Sequence, residues 1–141
     1  MSDLVGKIGC GLCVFGGALL VASLFMPWHV TEEQDVTRYD TGWVTFDVVD
    51  LVLVVVAVVS IAAALWAVSG RDGSQGVAFL AGIVAWVALV VILVRFSSGA
   101  FDTGRVGGGG WTGAAALAAI AIGEVTLALR PERALHSGPM T

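Results

Sequence analysis

Asp-Thr-Gly occurs twice in this chain, at 40–42 and 102–104, each time after an aromatic residue, Tyr39 and Phe101. Two such aspartates brought together share one proton and activate an attacking water. Cys10 and Cys13 form C-x-x-C, a spacing used for redox exchange and metal binding. His29 lies close to Glu32, Glu33 and Asp35, a set of donors suited to a divalent ion. Glu124 stands alone in a long apolar run, where an ionisable side chain is costly and a candidate for function.

The elements that must position these groups follow from composition. The chain is 57% hydrophobic and 13% charged, against about 25% charged in soluble domains. Its charges are segregated, leaving four apolar runs at 8–26, 48–68, 76–94 and 111–129. Each is about 20 residues, the length at which a helix rising about 1.5 Å per residue crosses the hydrocarbon core. Helices satisfy every backbone donor and acceptor within the segment, as lipid demands. The expected fold is therefore an all-α integral membrane protein, a single membrane domain built as a four-transmembrane-helix bundle. Its connections are an outer loop at 27–47, an inner turn at 69–75, an outer loop at 95–110 and a cytoplasmic tail at 130–141. The first run exceeds the usual signal-peptide core and no clean Ala-x-Ala precedes Pro27, so it reads as a permanent helix.

Lys7, Arg71, Arg130 and Arg133 fall on one side and Arg38, Arg95 and Arg105 on the other. The positive-inside rule then places both termini in the cytoplasm and the acidic loop outside, across the plasma membrane. Trp28, Trp43 and Trp111 lie at outer boundaries and Trp66 near an inner one, as an interfacial aromatic belt.

This frame decides the chemistry. The aspartic proteases carry Asp-Thr-Gly on two β-rich lobes, and the loops here are too short to build them. Trp43 and Arg105 follow the glycines, where that pattern has Ser, Thr or Ala. The Gly-x-Gly-Asp partner of the presenilin type is also missing. Turn chemistry accounts for both triplets, with Asp accepting backbone hydrogen bonds and Gly supplying positive φ. A parallel duplication of two hairpins is the alternative. No catalytic residue, metal site or cofactor is expected. The His29 cluster reads as a solvated acidic loop, and the glycines at 107–110 as a flexible lead into the fourth helix. Net charge −4 without a basic patch argues against nucleic acid.

The helices carry stripes of small residues, which let backbones approach where lipid supplies no hydrophobic drive. They are Gly6, Cys10, Cys13 and Gly17; Ala57, Ser60, Ala64 and Ala67; Ala78, Ala81, Ala85 and Ala88; and Ala114, Ala118, Ala121 and Ala128. The two cysteines read as part of this packing. Glu124 shares the small face of the fourth helix, at a depth compatible with Ser60, Cys10, Cys13 or the Trp66 indole. It is expected to be a hydrogen-bonded acid that fixes packing, with ion handling as the alternative. Asp47 and Asp50 open the second helix, where carboxylates cap free backbone donors.

"MPWHV" at 26–30, followed by "GW" at 42–43 in a long first outer loop, resembles claudin-like four-helix proteins, without that family's loop cysteine pair. The resemblance implies an outward-facing interaction loop, in which Trp28, Asp40, Trp43 and Asp102 are the candidate contacts. The expected role is an accessory or assembly subunit of a larger membrane complex. Its partners would be the lipid bilayer and other integral subunits or itself. The alternative is a homo-oligomeric small transporter or ion-handling protein using Glu124.

Overall fold

The computed structural model describes residues 2–41, 47–69, 74–97 and 104–129. Within them the order is α1 (Ser2–Ser23), β1 (Pro27–Glu33), β2 (Val36–Thr41), α2 (Asp47–Val68), α3 (Ser74–Ser97), β3 (Gly104–Val106) and α4 (Gly108–Ala128). The protein is mostly helical. Four helices are long and apolar enough to cross a membrane, over Leu4–Ser23, Leu51–Val68, Gln75–Ser97 and Gly108–Ala128. Trp43, Asp102 and the tail lie outside the described residues, as do the side chains of Asp47 and Asp50.

α1 packs against α2 and α4, and α3 packs against the same two. The small residues face inward: Ala57, Ser60, Ala64 and Ala67 of α2 are buried, as are Ala78, Ala81 and Ala85 of α3. Large residues face out, including Leu51, Val55, Val58 and Leu65 of α2 and Leu80, Val84 and Val87 of α3. A water-soluble bundle has the reverse arrangement, so this distribution is consistent with a multi-pass membrane protein.

The tightest approach is between α1 and α4. A Cβ on Gly123 would lie 2.7 Å from Cys13 Sγ and 2.8 Å from the Gly9 carbonyl. One on Gly16 would lie 2.8 Å from Ile120 Cγ1 and 3.0 Å from the Ala116 carbonyl. Gly9, Gly16 and Gly123 therefore set the interhelical distance, and none of them belongs to the expected stripes. Of the expected packing residues, Gly6, Cys13, Gly17, Ala114 and Ala121 are buried, whereas Cys10 and Ala118 are half-buried. Gly17 faces α2, where its Cβ would meet Ile61 at 2.7 Å.

The all-α expectation needs correcting, because the connections form a three-stranded antiparallel sheet in the order β2-β1-β3. β1 and β2 make a hairpin, with Glu33 opposite Val36 and Val30 opposite Tyr39. Its two linking residues, Gln34 and Asp35, have φ of 40° and 68°. Two successive positive φ values match the strand twist in a two-residue hairpin. β3 pairs with the other side of β1, Val106 opposite His29 and Gly104 opposite Thr31. The segment forms strands because β-branched and aromatic residues recur in it and Val30 is buried.

Candidate functional site

The described residues offer two places where polar chemistry is concentrated, the sheet and the buried acid of α4. The sheet is fastened to the bundle by Trp28. This side chain is fully buried, and its Nε1–H donates to the Ser23 carbonyl at 2.7 Å. Gly109 and Gly113, one turn apart on α4, leave the notch the indole fills. A Cβ at Gly113 would stand 2.6 Å from the ring. Phe96 of α3 meets the indole edge-on, with centroids 6.5 Å apart. The Trp28 carbonyl accepts from Gly107 N–H at 2.7 Å.

Three expectations change here. Trp28 is not available as an exposed outer contact, because α1, α3 and α4 enclose it. The glycine run is not merely a flexible lead: Gly108–Gly110 form the first turn of α4, and Gly109 and Gly110 are buried. The loop at 27–47 is no simple solvated loop, since most of it is hairpin. Trp66 and Trp111 are exposed.

Both faces of the sheet carry their charges in pairs, His29, Arg38 and Asp40 on one and Glu32 and Arg105 on the other. Arg38 Nε donates to Asp40 Oδ1 at 3.2 Å, and His29 Nδ1 is 3.8 Å from the other oxygen. Arg105 lies 3.7 Å from Glu32. The two arginine pairs, with their guanidinium groups exposed, contribute about 0–1 kcal/mol each; they orient side chains more than they stabilise the fold. Among the described residues no three of His, Cys, Asp and Glu come together as a metal site. Strand geometry explains this, since residues three apart, such as His29 and Glu32, point to opposite faces. Asp40 and Thr41 close β2 and Gly104 opens β3, so parts of both triplets flank β1. Asp102 lies outside the described residues, and Asp40 is held by Arg38 and His29.

At the other end of the bundle Glu124 is fully buried. Gly82 of α3 packs on it; a Cβ there would lie 3.2 Å from Glu124 Cβ. Nearby, Cys13, Ala64, Ala67, Ala78 and Leu127 form a cluster of mostly small side chains. Neither carboxyl oxygen has a hydrogen-bond partner among the described residues. Of the expected neighbours, the Cys13 thiol lies close enough to interact with the carboxyl, whereas Ser60, Cys10 and Trp66 make no hydrogen bond to it. The Cys13 thiol also faces the Ile120 carbonyl at 3.8 Å, and both cysteines are free. Ser60 is buried.

No family model, curated protein or solved structure matches this chain. The likeness to claudin-like proteins is carried by residues 26–43 alone.

Proposed function

We propose that this protein is an assembly subunit of a larger membrane complex, presenting its three-stranded sheet as the recognition surface. It lies in the plasma membrane with both termini cytoplasmic and the sheet outside, as the distribution of basic residues favours. The observation that carries the proposal is the mounting of the sheet. Trp28 is locked between α1, α3 and α4 while β2 stays exposed from Val36 to Tyr39. A strand held rigidly on a membrane bundle offers a partner a preorganised surface, which lowers the ordering cost of binding. The small-residue faces are used within the chain, so recognition falls to the sheet and the lipid-facing branched residues. No residue is assigned a catalytic role.

Purification from the native membrane in a gentle detergent, followed by native mass measurement, tests this. Stoichiometric copurifying membrane subunits are expected. A single chain without partners would contradict it.

A second reading, a homo-oligomeric ion-handling protein, draws on one observation, the fully buried Glu124 carboxyl with no cation beside it among the described residues. In vesicles, Glu124→Gln would then abolish flux while assembly persists. Flux that survives this substitution rules the reading out.

A further inference from the structure

β2 is an edge strand. β1 covers one side, and no described strand covers the other. Sheet edges are commonly blunted by Lys, Pro or a bulge. β2 has neither Lys nor Pro, and its pairing with β1 runs without irregularity from Asp40 to Val36. It leaves Val36 68% and Tyr39 62% exposed.

The strand is also chemically symmetric about Tyr39. A second copy laid antiparallel on the open edge, Tyr39 opposite Tyr39, puts Arg38 of each chain opposite Asp40 of the other. Thr37 then faces Thr41. Aromatic, opposite-charge and Thr–Thr pairs are the directly opposed combinations that stabilise antiparallel strands. Neighbouring symmetric registers are disfavoured: centring on Arg38 opposes two arginines, and centring on Asp40 opposes two aspartates.

The register has a geometric consequence as well. Tyr39 lies opposite Val30 and so on the same side of the sheet, the side on which Val30 is buried. A pairing centred on one residue keeps the buried sides of both copies together. Both bundles then stand on one side of the joined sheet, as two copies in one membrane require.

We propose that β2 is the contact through which two copies of this chain join, antiparallel and centred on Tyr39. The proposal rests on reading the sheet as a recognition surface and names its partner.

The test uses the full chain in bilayer vesicles. Antiparallel neighbours have Cα atoms about 4.5–5.5 Å apart, within disulfide range. Tyr39→Cys should therefore give an oxidised dimer, with the unsubstituted chain as control for Cys10 and Cys13. Independently, R38D and D40R are placed in separately tagged chains. Each alone should lose self-capture about ten-fold, and the two coexpressed should recover it. Residues 38 and 40 carry like charge within either variant, so a bridge inside one chain cannot produce the recovery. Undiminished self-capture by R38D, or a mixed pair no better than either alone, overturns the proposal. If other membrane subunits copurify and are lost with these substitutions while self-capture never occurs, the sheet serves a different chain. The self-pairing proposal then falls and the recognition surface stands. If nothing is captured at all, both fall.

Discussion

Trp28 joins three helices to the sheet through one buried ring and one hydrogen bond. Trp28→Ala should lower unfolding stability in detergent by about 3–5 kcal/mol. Trp28→Phe keeps much of the volume and loses the bond to Ser23, so a drop of about 1–2 kcal/mol is expected. Gly113→Ala places a methyl where the ring already lies and should cost about 1–3 kcal/mol. Equal stability of all three variants would show that the notch does not hold the sheet. The sequence marks Trp28 as amphipathic and near a helix end, which suits an interface and a buried anchor equally. What decides between them is the pair Gly109 and Gly113, whose relation to Trp28 exists only once α4 returns beside β1. Glu124 was legible as the one acid deep in a span. That only Cys13 of the expected partners comes near its carboxyl was not, because that depends on the side-chain directions of three other helices.

Among the elements, the hairpin turn has a local weakness that can be corrected. Gln34 and Asp35 both sit at positive φ, where Asn and Gly are far better suited. Gln34→Asn with Asp35→Gly should stabilise the hairpin by about 1 kcal/mol, read as slower amide exchange from Glu32 to Val36. Unchanged exchange would argue against this turn geometry. The α1–α4 contact makes a second prediction through paired glycines. Gly123→Ala must push against the Gly9 carbonyl, which is backbone and cannot swing away, and should cost about 1–3 kcal/mol. Gly11→Ala meets nothing within 4 Å and should be neutral or stabilising by up to about 1 kcal/mol. The four helices were readable because long uncharged stretches have few other uses. The strands were harder to read. Val30, Thr31, Val36, Thr37 and Tyr39 are strand-forming types, but the acidic residues among them resemble a solvated loop, and β3 pairs with a distant segment. The glycine contacts escaped notice because α1 is rich in glycine and several stripes satisfy helical spacing. Only the partner helix selects Gly9 and Gly16.

At the scale of the whole molecule, the two ends of the bundle differ. Near the sheet the core contains Leu20, Leu24, Trp28, Leu53, Ile92 and Leu117, whereas around Glu124 it is chiefly alanine, glycine and Cys13. Large interlocking side chains give the sheet a firm base, as the proposed recognition surface requires. The substitutions that report on recognition must therefore leave the anchor intact. Val36, Arg38 and Tyr39 are exposed and make no contribution to the core, so V36S, R38S and Y39S combined should leave unfolding stability within about 1 kcal/mol. The most direct measurement compares native mass and copurifying chains for this triple variant and the unsubstituted protein, both extracted from the native membrane. The unsubstituted protein should appear in a stoichiometric assembly, and the variant, equally well folded, as a single chain. An assembly that persists unchanged in the variant would contradict the sheet as the recognition surface.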